Sequence, residues 1–405
     1  MPSDKDAEER QQKIINRDFN QWRKNAHLLY DMAIIRPLTW PSLTCQWLPQ
    51  IKVEDGFIKQ ELILGTHTSD EETEYLEIHS FNVPEKQIHP NHHKPNLSPL
   101  KKIRHEGEVN RARYQPHNPD IIATKTRTGE VLVFDRTIKQ EYIDESYVKP
   151  ILRLKGHALE GYGLAWNPQR TKKHHLISAG FEGLICHWDV SQQPENSRNE
   201  LEPLQTYHGH KCPVNDVSWN SVHDSIFASV ADDKQLMIWD IRDPAKPRQT
   251  VKAHQDEIQS VAYHPKRDWM LATGSSDKSV GLFDMRKLNT KLYSLESHNG
   301  HVTQVAWSPH DEPIIASAGA DRKIIIWDLR NIGQEQSAED AEDGPPELMF
   351  VHAGHTNRIS EFSWNPLENW TIASTADDNV VQIWRMSKKL YASTDQLEIS
   401  PNQLE

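Results

Sequence analysis

An all-β fold is predicted for this chain: a seven-bladed propeller of short antiparallel strands with one α-helix ahead of it. Three observations predict it. The first is an interval: nine residues separate His105 from Tyr114, His157 from Trp166, His210 from Trp219, His254 from Tyr263, His298 from Trp307 and His355 from Trp364. Twenty more lead to Phe134, Trp239, Phe283, Trp327 and Trp384, and twenty-two to Trp188. The second is composition, because a hydrophobic share of 36% with 13 Trp spread along 405 residues suits many thin layers of alternating strands better than one thick core. The third is size: a repeat of about 40 to 45 residues is that of a four-stranded propeller blade.

Residues 7–34 read as one long helix. Ile15, Phe19, Trp22, Ala26, Leu29 and Ala33 fall at alternating intervals of four and three and so share a face. Arg10, Lys13, Arg17, Arg23 and Lys24 lie off that stripe, which makes the helix an amphipathic lid on something larger. Pro37 is expected to end it. The stretch Asp31 to Leu38 also occupies, before Trp47, the register that Leu204 to Gly209 occupies before Trp219. It is therefore expected to supply the outermost strand of the last blade and remove a free edge.

Ser42 to Pro49 looks like the segment 302–309 and forms a degenerate copy, without its His because Leu38 stands nine before Trp47. Phe57 to His67 and Tyr75 to Val83 alternate as its next two strands, joined by a polar turn from Thr68 to Glu74. Six regular copies then run from about 100 to 386. In four of them an Asp follows the His by 23 residues (His210 and Asp233, His254 and Asp277, His298 and Asp321, His355 and Asp378), and a hydroxyl precedes that Asp by four: Ser229, Thr273, Ser317 and Ser374. A His joined to a hydroxyl and an indole, with the Asp holding the neighbouring turn, would satisfy the polar groups buried at a blade corner. A hydrolase triad occurs once per site, whereas this set recurs, so the chain is not expected to be an enzyme.

Two segments break the repeat. In 331–346, Glu335, Glu339, Asp340, Glu342 and Asp343 face no Lys or Arg, Gly344-Pro345-Pro346 stiffens the end, and the run leads into the strand before the last blade. Acidic insert and lid helix should therefore be neighbours. Residues 86–99, rich in Pro, His and Asn, look like a surface loop, and the tail beyond Lys389 carries no signal. The domain reading is thus a helix and closing strand in 1–36, a ring in 37–390 and a tail in 391–405.

The net charge of -12 argues against bare nucleic acid as the main ligand and toward a basic partner. Cys45, Cys186 and Cys212 have no metal or disulfide spacing, so no cofactor or metal is expected and a reducing compartment is. The first thirteen residues hold no apolar run, and no 18-residue apolar stretch exists, which argues against a secretory leader or a membrane span.

Gly-His, Trp-Asp and the string Asp232 to Asp240 resemble the WD40 repeat. More specific strings are Trp22 to Asn25, Leu29-Tyr30-Asp31, Trp40 to Thr44, Leu64 to Asp70, His105 to Tyr114 and Glu335 to Glu347. Together they resemble the histone-binding WD40 family also called retinoblastoma-binding or Msi-like proteins. That resemblance implies a nuclear adaptor shared by chromatin assembly factor 1, histone acetyltransferase, deacetylase, nucleosome-remodelling and Polycomb complexes. It implies that the first helix of histone H4 is clamped by Leu28, Leu29, Met32, Glu339, Asp340, Glu342, Asp343, Pro345 and Pro346. Leu28, Leu29 and Met32 beside Asp340, Glu342 and Asp343 would indeed suit a basic amphipathic helix. It further implies a channel mouth for the histone H3 tail at His67, Glu71, Glu108, Asn110, Glu160, Tyr162, Arg358, Asp377 and Asn379. Where the family carries Glu, Asn, Glu and Phe at successive blade entrances, this chain has Asn215, Gln259, His301 and Thr303, a loss of two carboxylates and an aromatic wall. An alternative is a cullin-ligase substrate receptor, because Trp239-Asp240-Ile241-Arg242 and Trp327-Asp328-Leu329-Arg330 look like the Trp-Asp-x-Arg element of such receptors.

Overall fold

The computed structural model describes residues 4–54, 56–69, 71–84, 95–138, 149–194 and 198–391, with side chains from Glu9 onward. Seven antiparallel sheets follow one another around a ring. Blade 1 is Cys45–Glu54, Phe57–Gly65, Tyr75–Pro84 and Asn96–Arg104, from the channel outward, and the inner strands of blades 2 to 7 begin at Val109, Leu164, Val214, Ile258, Val302 and Ile359. In blades 4 to 7 the second strands, Ile226–Ala231, Met270–Ser275, Ile314–Gly319 and Thr371–Ala376, are buried along their whole length. Each is covered by a blade on either face, which is why Ala, Ser and Thr recur there: small side chains let neighbouring sheets approach.

The seam closes as the register of residues 31–38 requires. Tyr30–Pro37 pairs antiparallel with Val380–Met386, with Ala33 opposite Trp384. The helix, however, spans Asp4–Leu29, so its expected end at 34 is corrected and Pro37 terminates a strand. Tyr30 decides the matter. Its hydroxyl accepts from Trp22 Nε1 at 2.9 Å and lies 2.8 Å from His352 Nδ1, drawing the chain into the blade, while Asp31 accepts from Ser387 Oγ and Lys388 N. Ile34 and Ile35, β-branched, then suit the strand. The expected loop at 86–99 is corrected at its end as well, because Asn96–Arg104 is the outermost strand of blade 1; residues 86–94 lie outside the described residues. Blade 2 gains a fifth, parallel strand, Glu200–Leu201, lent by the segment ahead of blade 3's outer strand.

The blade corners form as their spacing implies. His298 Nδ1 lies 3.0 Å from Asp321 Oδ2 and its Nε2 2.7 Å from Ser317 Oγ, which also accepts from Trp327 Nε1 at 2.8 Å. His210 with Asp233, Ser229 and Trp239, and His355 with Asp378, Ser374 and Trp384, repeat the set. In blade 5 Phe283 supplies no indole donor, and His254 bonds Asp277 and Thr273, with Ser279 Oγ 3.2 Å from its Nδ1. His298→Ala or Asp321→Ala should each cost about 1 to 3 kcal/mol, through buried partners left unpaired; urea denaturation checks this, and full stability in either variant would refute the corner role.

A second belt ties blade to blade at the channel wall. Inner-strand side chains accept the backbone N–H of the next blade: Ser218 from Tyr263, Ser260 from Val305, Gln304 from Phe362, Ser363 from Trp47 and Gln46 from Tyr114. The first aromatic of a repeat donates backward. Trp166, Trp219, Trp307 and Trp364 each give an indole N–H to a carbonyl of the preceding blade, at 2.9 to 3.1 Å.

Candidate binding surfaces

The N-terminal helix lies over the outer strands of blades 6 and 7. Trp22 meets His352 edge-on at 5.8 Å between ring centroids, and Phe19, Ala26 and Leu29 pack against a cluster containing Phe350, Trp384 and Met386. Asp18 reaches Arg322, in the turn that opens blade 6's third strand, at 3.4 Å. The helix therefore descends from that end of the ring to the opposite one, where Tyr30 pairs with Met386. Leu348 pairs with Trp327 at the same lower end of blade 6. The acidic insert enters there.

Within the insert, Asp340–Asp343 is a single helical turn whose Asp340 N–H bonds Ser337 Oγ at 3.1 Å. Gly344 follows at φ +133, and a Cβ there would stand 3.1 Å from Leu348 Cδ1, so both conformation and space call for glycine. Glu339, Asp340, Glu342 and Asp343 are exposed, and among the described residues none pairs with a Lys or Arg. At this end, then, stand Leu28, 64% exposed, half-buried Leu29, half-buried Pro345 and Pro346, and four carboxylates, of which Asp340 accepts from Ser337 Oγ at 2.7 Å. Met32 is placed apart from them. It packs on the far side of the closing strand against Cys45, Trp47, Phe81 and Val381.

The channel mouth is at the upper end, where inner strands begin. His67 Nδ1 lies 3.2 Å from Glu108 Oε1, and Asn110 Nδ2 donates to Glu160 Oε2 at 3.2 Å. Burial, and then the Glu160 charge, raises the Tyr162 hydroxyl above its ordinary pKa while Arg358 opposes the shift, so these groups share one field. Asp377 accepts from Ser360 Oγ at 2.8 Å; Asn379, at φ +57, gives its carbonyl to Leu38 N–H; Glu71 is exposed on blade 1's turn. Mouth and groove thus open at opposite ends of the ring.

Two family models match this chain. One, described as histone-binding protein RBBP4 or a CAF1 complex subunit, covers residues 17–85, from the anchored half of the helix through the closing strand into blade 1. The other, WD domain, G-beta repeat, covers 201–240, 245–284, 289–328 and 346–385, each match taking the last strand of one blade and three of the next. The chain belongs to the histone-binding WD40 family. Families of this kind are binding scaffolds, and histone binding is the general role that membership carries.

In this histone-binding WD40 protein the altered mouth positions are not idle. Asn215 Nδ2 donates to Asp232 Oδ1 at 2.7 Å and to Ile258 O at 3.0 Å; Gln259 Nε2 donates to Ser276 Oγ at 3.2 Å and reaches Glu257 at 3.4 Å. The amides steady carboxylates beside them, so the mouth keeps acids at Asp232 and Glu257. Thr303 Oγ1 donates within the wall, to Ala318 O or Ile359 O, and His301 is exposed. Asp232, one before corner Asp233 as Asp377 is one before Asp378, and Glu257, two before Gln259 as Glu108 is two before Asn110, could both have been found from repeat spacing.

Below the mouth an ion cluster ties the adjacent blades 7, 1 and 2 of the WD40 ring. Glu361, fully buried, accepts from Thr44 Oγ1 at 2.9 Å, from Cys45 N at 2.6 Å and from the guanidiniums of Arg111 and Arg113. Burial raises its pKa, but the two arginines outweigh burial and hold it down at about 2. Asp216, also at this level, is pushed up by burial although Ser260 Oγ and Val261 N–H bond it at 3.0 Å. A cavity of about 250 Å³ remains, lined by Gln46, Arg113, Ser218 and Gln304 among others. Among the described residues no three His, Cys, Asp or Glu side chains are grouped to hold a metal, and no helix is long and apolar enough to cross a membrane.

Proposed function

We propose that this chain is a nuclear, non-enzymatic adaptor that holds the first helix of histone H4 between its N-terminal helix and its acidic insert. The observation that carries the reading is the meeting, at one end of blades 6 and 7, of exposed Leu28 with the unpaired carboxylates of Glu339, Asp340, Glu342 and Asp343. An amphipathic basic helix supplies both complements. Partners follow from such a role: subunits of chromatin assembly factor 1 or of histone-modifying, remodelling or Polycomb complexes. Calorimetry with a peptide of the H4 first helix tests it. Asp340→Lys with Asp343→Lys, both exposed, should weaken binding by about 10-fold or more, at 1.4 kcal/mol per decade, without moving the melting curve. Affinity should fall as salt rises past physiological strength. Equal affinity in variant and wild type would sink the assignment.

The mouth supports a second, weaker contact with a cationic tail such as that of histone H3. His67, Glu108, Asn110, Glu160 and Tyr162 share one linked field there, and Asp232 and Glu257 add charge, but His301 and Thr303 supply neither a carboxylate nor an aromatic face. A ligase-receptor role has less behind it. Arg242 and Arg330 fork back onto their own Asp240 and Asp328 at 2.6 to 2.8 Å, as Arg286 does onto Asp284; a contact repeated in three blades favours a strand-ending role.

A further inference from the structure

The N-terminal helix carries a second stripe that the ring does not use. Arg10, Ile14, Arg17, Gln21, Lys24 and Leu28 recur at intervals of four, three, four, three and four, the period of a helix-to-helix seam. All six are exposed, Ile14 by 44% and Leu28 by 64%. The stripe lies one or two residues back from the buried set of Ile15, Phe19, Trp22, Ala26 and Leu29, so it runs along the flank of the helix, and from Arg10 to Lys24 it extends about 21 Å at 1.5 Å per residue. Among the described residues the acid paired with this stripe is Asp18, which touches Arg17 at 3.2 Å and is shared with Arg322 at 3.4 Å. Every side chain from Glu9 to Ile14 is exposed, and isolated helical turns are marginal in water.

We propose that this flank is a docking seam for an acidic amphipathic helix of a partner subunit. Carboxylates of that helix face Arg10, Arg17 and Lys24, and its apolar residues cover Ile14 and Leu28. Charge complementarity sets the sign: three exposed cations recur along one flank, one of them sharing its acid Asp18 with Arg322, on a chain whose net charge is -12, and they select an anionic partner. The exposed Ile14 and Leu28 select a protein helix over nucleic acid, whose phosphates would leave both uncovered. The seam stands on these observations and not on the H4 groove, which it meets only at Leu28.

The probe is a synthetic four-heptad peptide with Glu opposite the three cations and Leu opposite Ile14 and Leu28, titrated into the full chain by calorimetry at physiological salt. We expect micromolar binding that Arg10→Glu with Arg17→Glu and Lys24→Glu weakens by about 10-fold or more, and that a Lys-for-Glu version of the peptide does not reproduce. The same triple variant should bind the H4 peptide as wild type does, since the acidic insert is intact; loss of H4 binding in wild type with the acidic helix still bound would instead count against the groove alone. Equal binding of the acidic peptide by variant and wild type overturns the seam. So does a 20-bp DNA duplex that binds wild type through these cations when the acidic helix does not.

Discussion

Glu361→Ala should destabilise the ring by about 3 to 5 kcal/mol, the cost of leaving a buried ion pair without one partner. Arg111 and Arg113 converge on that carboxylate, across some 250 residues of sequence, and would keep two charges inside the channel with Asp216 near enough to offset only part of them. Two donors of blade 1 would lose this acceptor as well, Cys45 N–H and Thr44 Oγ1, the second keeping only a long contact of 3.5 Å to Ala112 O. Glu361→Gln keeps the shape and some of the bonds but not the charge, so it should fall between alanine and wild type. Equilibrium unfolding in urea reads both; a midpoint for Glu361→Ala within error of wild type would show that the cluster is not what holds blade 7 to blades 1 and 2.

Lowering the pH from 7.5 to 5 should remove roughly 4 kcal/mol of stability through two histidines, about 2 kcal/mol each by proton linkage. Burial holds His105 down to about 4, and burial with neighbouring His175 holds His187 down to about 3. Both are neutral in the fold and protonate in the unfolded chain near 6.5. Their folded-state pKa values are depressed, so the stability they confer is complete above pH 6.5 and lost as pH falls toward those values. His187 Nε2 lies 2.7 Å from His175 Nδ1, and Tyr207 and Asp189 stand beside the pair; a second proton would set two N–H groups against each other. The paired Asp residues of the corners are depressed instead, from 3.8, and yield only at lower pH. His187→Leu should flatten the fall by about 2 kcal/mol. A denaturation midpoint independent of pH between 7.5 and 5 would refute the account.

The parts of the fold that were legible in the sequence are those that repeat. A His, a hydroxyl and an Asp at fixed spacing say that the same corner is built several times, and the corners of His210, His254, His298 and His355 are so built, with a Trp added in all but the His254 corner. What does not repeat was not legible. The cluster of Glu361, Arg111 and Arg113 joins blades at opposite ends of the chain. Blade 3 departs from the pattern because Lys125, wholly buried and pushed down to about 7 by burial, sends Nζ to Ser178 Oγ at 3.0 Å; His157 meets Glu182 in place of an Asp, and Trp188 turns to Lys155 O. The helix boundary misled for a different reason: Ala33 continues the helical period, but sheet bonds along Val380–Met386 and the Tyr30 hydroxyl outweigh periodicity. At the groove, Met32 shares the strand of Tyr30 yet faces the other blade interface, which alternation past the bulge between them decides.

The closing strand also sets an order of events during synthesis. Asp31 and its partner Ser387 are 356 residues apart, so the closing strand Tyr30–Pro37 must wait for Val380–Met386 to be made before it has a sheet to join. Until then Trp22 and Tyr30 have neither His352 nor Trp384 to cover them, and the acidic insert has no helix beside it. Domains commonly fold from the N-terminus as they are made, but this one cannot finish that way. A truncated or stalled chain lacking residues beyond about 380 would lack the groove altogether, however many blades it had completed. Formation of that surface is in this sense reserved for the complete ring.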